Sequence, residues 1–323
     1  MKLLVTGGAG FIGSHMVRLL NSLGHSVVTF DDLSTGFRNA VLAGEFLQGS
    51  LLDKAALEAL FSSHQLDAVV HFAGSIVVSE SVRDPAKYYQ NNLIGTMNLF
   101  DAMRAHGVNK LVFSSTAAIF GVPLTMPIDE THPQVPINPY GMTKWVTERI
   151  MRDYDAAYGM CSVALRYFNA AGAAPDAALG ERHDPETHLI PLALRAAKGE
   201  LPELTVFGTD YDTPDGTCIR DYIHIMDLCD AHMLALQHLM SGGESRAYNL
   251  GNGQGYSVKE VVRVVENVTG NKVPVRFGPR REGDPPRLVA DAAKIRSDWG
   301  WSPRFSELEQ IVAHAWQWEI NKG

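Results

Sequence analysis

Tyr140 and Lys144 stand four residues apart in the stretch Asn138-Pro139-Tyr140-Gly141-Met142-Thr143-Lys144, a spacing suited to moving a proton. On a helix the two positions share one face about a turn apart, so the ammonium can sit near the phenol. A free phenol ionises at a pH of ~10. A neighbouring cation stabilises the phenolate and lowers that value, as a tyrosine needs if it is to take a proton from a sugar or alcohol hydroxyl near neutral pH. Alone, such a pair reads more readily as a solvated helix face. It gains meaning from the hydroxyls of Ser114-Ser115-Thr116 and from a glycine-rich loop further upstream.

That loop, Gly7-Gly8-Ala9-Gly10-Phe11-Ile12-Gly13, follows the apolar run Leu3 to Thr6 and precedes a helical pattern from Phe11 to Leu20. Glycines at 7, 10 and 13 between a strand and a helix let backbone approach a pyrophosphate, whose charge is met by the helix N-terminus. Asp31 and Asp32 follow about 20 residues later, at the end of a second strand, where a carboxylate accepts hydrogen bonds from adenosine ribose hydroxyls. A 2'-phosphate would be repelled there and no arginine follows at once, so NAD is expected rather than NADP. Asp31-Asp32 also suits a turn before Leu33-Ser34-Thr35-Gly36, and the two readings are compatible.

The elements that must position these groups alternate. Leu3 to Thr6, Ser26 to Phe30, Ala68 to Phe72, Leu111 to Ser114 and Ser162 to Leu165 read as buried strands with helices between them. The pattern predicts an α/β fold with a doubly wound parallel sheet and a binding crevice at the strand carboxyl ends. After Arg166 proline, glycine and shorter elements increase. This places a dinucleotide-binding domain over residues 1–168 and a smaller α/β, mainly substrate-binding lobe over 169–323, with a return to the sheet near 247–251.

Glycine loop, Ser/Thr and Tyr-x-x-x-Lys together resemble the extended short-chain dehydrogenase/reductase superfamily, with its Rossmann-type sheet. Further stretches are similar to the UDP-hexose 4-epimerases over nearly the whole chain: His71-Phe72-Ala73-Gly74, Glu80-Ser81-Val82, Asn91-Asn92, Tyr167-Phe168-Asn169, Arg220-Asp221-Tyr222-Ile223-His224 and Arg280-Arg281-Glu282-Gly283-Asp284. The resemblance implies an NAD-dependent isomerase of galactose metabolism that interconverts UDP-glucose and UDP-galactose. C4 is oxidised transiently, the 4-keto sugar rotates and the hydride returns to its other face.

By position, the resemblance makes Tyr140 the proton-transfer residue, Lys144 its partner and a holder of nicotinamide ribose, and Thr116 the hydroxyl near O4, where serine is commoner. Further cofactor contacts are implied for Phe11, Ile12, Ser50 and Leu51, for Phe72, Ala73, Gly74 and Asn92, and for Ser114 and Tyr167. Arg220 and Arg281 would grip the diphosphate and Asp284 the uridine ribose, because a guanidinium matches a diphosphate bidentately. Asn169, His188, Leu189, Phe207 and Tyr222 complete the implied substrate set. Leu288 falls where relatives wall the sugar site with tyrosine for plain hexoses or a small residue for N-acetylated ones. Ile76 and Ser50 depart from the usual bacterial pattern, at positions where a lysine and an aspartate often meet the cofactor. A homodimer is implied too, paired through two long helices expected over Pro85 to His106 and Asn138 to Tyr158.

Rival functions fit less well. A nucleotide-sugar 4,6-dehydratase needs an acid and a base after Thr116, where Ala117-Ala118 stand, and a decarboxylase fails for a similar reason. A non-catalytic NAD-sensing protein would have no need of Tyr140 and Lys144. No metal is expected: His183-Asp184-Pro185-Glu186-Thr187-His188 cannot form a helical two-histidine zinc pair across its proline, and is expected to flank the sugar. His71, ending an apolar strand, reads as a core histidine.

At 323 residues the chain exceeds one small core. Its net charge of -8 argues against nucleic-acid or anionic-membrane partners, which need a concentrated basic surface. Three scattered cysteines suggest a reducing compartment, and no apolar run approaches the ~20 residues of a membrane span. The cytoplasm is the expected location.

Overall fold

The computed structural model describes residues 1–280 and 284–322. Two compact units emerge. The first comprises Met1–Gly121, Pro133–Arg166 and Cys229–Tyr248; the second comprises Val122–His132, Tyr167–Leu228 and Asn249–Gly323.

The first unit is built on strands β1 (Lys2–Thr6), β2 (Ser26–Asp31), β3 (Glu45–Gln48), β4 (Ala68–His71), β5 (Lys110–Thr116) and β6 (Cys161–Tyr167). With Arg246–Leu250 they make a seven-stranded sheet, in the order Arg246–Leu250, β6, β5, β4, β1, β2, β3. Pairing is parallel from β3 through β2, β1 and β4 to β5. β1 therefore lies between β4 and β2, where the winding reverses and a doubly wound sheet opens its binding crevice. Leu3, Leu4 and Val5 are fully buried, as expected of a central strand covered on both faces.

Most of the strands read from sequence agree with the structure to within a residue or two, but β3 has no counterpart among them. Its half-exposed Glu-Phe-Leu-Gln pattern carries no continuous apolar run, because an edge strand need not bury both faces. The long helix expected over Pro85 to His106 is also interrupted. Asp84 caps a short helix, Pro85–Tyr88; a π-helical segment follows over Tyr89–Ile94, and α-helix resumes over Gly95–Ala105. The widened turn contains Asn92, and such turns recur at functional sites.

In the second unit, Ile219–His224 is the organising strand. It pairs parallel with Asn169–Ala171 and with Arg287–Leu288, and antiparallel with Gly255–Ser257. Helices Leu189–Ala197, Val258–Thr269 and Leu308–Asn321 pack into one apolar cluster around Ile190, Leu194, Val261 and Ile311. Ser257 and Glu260 form a reciprocal cap at the start of the second of these helices. No helix among the described residues is long and apolar enough to cross a membrane.

Candidate active site

β1 delivers the glycine loop to the helix Phe11–Ser22. Gly7 has φ +71°, and a Cβ there would meet Ala73 N at 2.5 Å; one at Gly13 would meet Gly7 O at 2.2 Å. At Gly10 the nearest atom is Gly7 O at 3.4 Å, an ordinary contact. The protein's own packing thus demands glycine at 7 and 13. At 10 it leaves room for a ligand's approach. No side chain among the described residues caps this helix and its first turn holds no acid, so its positive end is not neutralised locally. Together these features fit a dinucleotide diphosphate.

Asp31 ends β2 and is buried. Its Oδ2 accepts from Ala9 N at 2.9 Å and its Oδ1 from Leu33 N at 2.8 Å, while Asp32 Oδ1 accepts from Ser34 N at 2.9 Å. The carboxylate therefore shapes the loop and keeps lone pairs for a ribose. Burial raises its pKa, and the two backbone donors oppose that rise. Ser50 Oγ accepts from Leu52 N, and Leu51 O accepts from Asn98 Nδ2. Ile76 is exposed. Phe72 and Ala73 each donate a backbone N–H to Thr6 O, and Phe72 packs on His232. Asn92 clasps the chain after Gly74: its Oδ1 accepts from Ser75 N at 2.7 Å and its Nδ2 donates to Ser75 O at 2.9 Å.

The helix Pro139–Tyr158 carries Tyr140 and Lys144. Asn138 caps it by accepting from Gly141 N at 2.8 Å, and Pro139 begins it. Gly141 has no room for a side chain, since a Cβ would lie 2.5 Å from Ala118 O. This close approach brings the helix start onto the turn after β5. Thr116, the last residue of β5, hydrogen-bonds the Tyr140 phenol, and its Oγ1 accepts from Ala118 N. Lys144 is buried, donates from Nζ to Ser114 O at 2.9 Å and lies over the Phe113 ring.

One electrostatic expectation needs correction. Burial pushes the Tyr140 phenol up rather than down, and only the Thr116 hydrogen bond opposes the rise. Lys144 is aimed at Ser114 O, and burial lowers its own pKa to about 8 while the Glu148 charge resists. In the protein by itself, the ammonium does not make the phenol acidic.

Sequence reasoning missed the groups that hold this arrangement. Glu148 continues the Tyr140, Lys144 face by one more turn, a spacing legible in the sequence. It accepts from Ser115 Oγ at 2.6 Å and forms a buried ion pair with Arg166 of β6. Tyr88 packs edge-on to Tyr140 and donates its hydroxyl to Val77 O and Glu80 Oε2. His71 is buried with Nδ1 on Thr6 Oγ1 at 2.6 Å and Nε2 on Thr96 Oγ1 at 2.9 Å; burial drops its pKa to about 3, so it is a neutral core residue.

In the second unit the strand Ile219–His224 gathers several of the anticipated substrate residues. Arg220 ion-pairs with Asp284 and also donates to Ile219 O. Leu288 sits in register with Arg220, and Tyr222 with Asn169. Asn169 Nδ2 donates to Asp221 O at 2.8 Å. Tyr222 is buried, which pushes its phenol up. Phe207 ends the strand Leu204–Phe207, Leu189 opens its helix and Tyr167 ends β6. Arg281 lies outside the described residues.

Asp221, flanked by Arg220 and Tyr222, was not anticipated as a site residue. It is fully buried and accepts from the backbone N–H groups of Asn252, Gly253 and Ala290, which ties two loops to the strand. Burial raises its carboxyl to about 6 against those three donors. His188 also has company that its local sequence did not suggest. Glu181 joins Glu186 against it, at 3.0 and 2.9 Å from Nδ1.

The chain belongs to the NAD dependent epimerase/dehydratase family, whose model matches residues 3–251. Within that class its similarity is specific. It is 52% identical to the UDP-glucose 4-epimerase of Azospirillum brasilense over 319 residues, covering 98% of this chain and 92% of that one. The solved UDP-glucose 4-epimerase of Brucella ovis in complex with NAD superimposes with a TM-score of 0.95 at 51% identity, covering 98% and 97% of the two chains. That of Bifidobacterium longum in complex with NAD+ and UDP gives 0.94 at 38% identity, covering 99% and 98%.

Proposed function

We propose that the chain catalyses the NAD-dependent 4-epimerisation of UDP-hexoses, interconverting UDP-glucose and UDP-galactose. The observation that carries this reading is the Thr116–Tyr140 hydrogen bond beside Lys144, on the carboxyl side of a sheet whose glycine loop fits a dinucleotide. Full-length similarity to UDP-glucose 4-epimerases supplies the substrate class.

NAD, when bound, supplies a hydride acceptor for C4 and a positively charged nicotinamide ring, a charge suited to bringing the buried phenol into range. Tyr140 Oη takes the proton of the 4-hydroxyl and later returns it to the 4-keto sugar after the sugar has turned over. Thr116 holds O4 through its hydroxyl. Lys144, anchored on Ser114 O, orients the cofactor ribose and balances charge near the phenol.

Gly7, Gly10, Phe11, Ile12 and Gly13 receive the diphosphate of NAD, and Asp31 with Asp32 the adenosine ribose. Ser50, Leu51, Phe72, Ala73, Gly74, Asn92, Ser114 and Tyr167 complete the cofactor contacts. Arg220, Arg281 and Asp284 serve the nucleotide of the substrate, with Asn169, His188, Leu189, Phe207 and Tyr222. Leu288, intermediate in volume and without a hydroxyl, limits the sugar. UDP-N-acetylhexosamines are therefore converted less efficiently than UDP-hexoses, by roughly 10- to 200-fold, the range that one misfitted group commands. The first unit is the cofactor lobe and the second the substrate lobe.

The enzyme acts in the cytoplasm as a homodimer. Exposed Tyr89, Ile94 and Tyr158, on the two stretches expected to pair, support that assembly, and a monomeric mass in light scattering would refute it.

The deciding experiment strips the protein of nucleotide and adds back NAD or NADP with UDP-galactose as substrate. NAD should restore UDP-glucose formation and NADP should do so poorly, because Asp31 repels a 2'-phosphate. Equal rescue by both would overturn the cofactor reading; no conversion with either would overturn the activity.

A further inference from the structure

We propose that Glu181, His183, Glu186 and His188 form a structural binding site for a divalent transition-metal ion of the zinc type in the second unit. One donor atom from each residue lies within 4.8 Å of all the others. The individual contacts are close to the edges of a ligand tetrahedron. His188 Nδ1 is 3.0 Å from Glu181 Oε1 and 2.9 Å from Glu186 Oε1, and His183 Nδ1 is 3.4 Å from Glu181 Oε1 and 3.6 Å from Glu186 Oε2. Four ligands at about 2.0 to 2.2 Å from a tetrahedral zinc stand roughly 3.3 to 3.6 Å apart, so an ion is accommodated by small shifts, outward for the two His188 contacts and inward for any wider pair.

The sequence spacing argues against a helical pair of histidines, and the structure uses no helix for this purpose. The loop between Asn169–Ala171 and Leu189–Ala197 folds back so that Glu181, two residues before His183, closes the set.

A second observation points to a ligand. His183 Nδ1 is shielded from solvent, and its two carboxylate neighbours, Glu181 Oε1 at 3.4 Å and Glu186 Oε2 at 3.6 Å, make no well-formed hydrogen bond with it. A shielded ring nitrogen that only approaches its acceptors is incompletely satisfied, and coordination would complete it. Both carboxylates are withdrawn from water, with side-chain exposures of 6% for Glu181 and 4% for Glu186, and the two imidazole rings face each other at 4.8 Å. Imidazole nitrogens with carboxylate oxygens suit zinc and its first-row neighbours better than calcium or magnesium, which prefer all-oxygen shells.

Four protein ligands leave no open position, so the ion would be structural rather than catalytic. Its effect would be to staple a 17-residue loop, positions 172–188, at the point where His188 and Leu189 start their helix. Trp318 Nε1 donates to Glu181 O at 3.1 Å and ties the same loop to the last helix. Coordination through Nδ1 leaves His188 Nε2 for the substrate contact assigned to it above, and the metal site does not depend on that assignment.

The test uses full-length protein without a histidine tag, first treated with chelator and then titrated with zinc alone near neutral pH. We expect about one zinc per chain by elemental analysis, a Kd on the order of 1 μM or tighter, and a higher Tm in zinc than in chelator. The double variant Glu181→Gln/His183→Asn should lose the stoichiometric zinc and the zinc-dependent Tm shift; circular dichroism and NAD content report whether it is folded. Substoichiometric zinc with no Tm shift in the wild-type protein would overturn the proposal without reference to any variant. So would a folded double variant that binds zinc as the wild type does.

Discussion

Around Tyr140 the charged groups are buried and held by one another, whereas Arg220 lies nearer solvent and, among the described residues, pairs with Asp284. In the first unit Lys144, Glu148 and Arg166 are all buried; Lys144 donates to Ser114 O, and Glu148 accepts from Ser115 and ion-pairs with Arg166. In the second, the Arg220 and Asp284 side chains remain 13% and 25% exposed. A buried network resists rearrangement because any member left alone is an uncompensated charge. A partly solvated pair can open and trade its partner for a ligand's diphosphate at small cost. The first arrangement is suited to holding a proton-transfer geometry, and the second to binding and releasing a nucleotide.

The sharpest way to break this contrast is Tyr140→Phe, which keeps the ring and removes the proton carrier. Turnover of UDP-galactose should fall by ~100-fold or more while NAD content stays unchanged; near-normal turnover would remove Tyr140 from the chemistry.

Glu148→Ala comes next. It leaves Arg166 buried without its counter-charge, which should cost about 3 to 5 kcal/mol in urea unfolding. Asp284→Ala in the second unit should cost less than about 1 kcal/mol and raise KM instead. Equal losses of stability would dissolve the distinction between the two regions.

Substitutions at Leu288 sharpen the binding side. Leu288→Tyr should suppress the N-acetylhexosamine reaction selectively and Leu288→Ser should raise it, moving the ratio of kcat/KM values for the two sugar classes within a range of roughly 10- to 200-fold. An unchanged ratio in both variants would remove Leu288 from the sugar's surroundings.

Asp221 gives the most pH-dependent effect. Its folded pKa of about 6 stands above the ordinary aspartate value, so the folded state binds this proton more tightly than the unfolded chain. The contribution is fully present below the unfolded value and is lost as pH rises through about 6. The stability advantage of wild type over Asp221→Asn should therefore shrink by on the order of 2 kcal/mol between pH ~4 and ~7. A gap that widens with pH would mean that the three backbone donors outweigh burial.

Local features carried much of this molecule in the sequence alone. Gly7, Gly10 and Gly13 between a strand and a helix, Asp31 at the end of the next strand, and Tyr140 with Lys144 behind an Asn-Pro start are short-range patterns, and backbone geometry within a few residues dictates what they do. Alternating apolar runs were enough for a doubly wound sheet, since central parallel strands must be apolar on both faces. Tertiary structure decided what depends on partners distant along the chain. Burial, which no spacing reveals, reversed the expected shift of the Tyr140 phenol. Arg166 reached Glu148 from a neighbouring strand, Asp221 collected donors from residues 252, 253 and 290, and Leu288 came into register with Arg220. The His/Glu cluster teaches the same lesson at shorter range: a proline rules out a helical pair, but only the folded loop shows Glu181 facing both histidines. Periodicity determines which residues share an element, and the desolvation and pairing that set their chemistry exist only once the elements have packed.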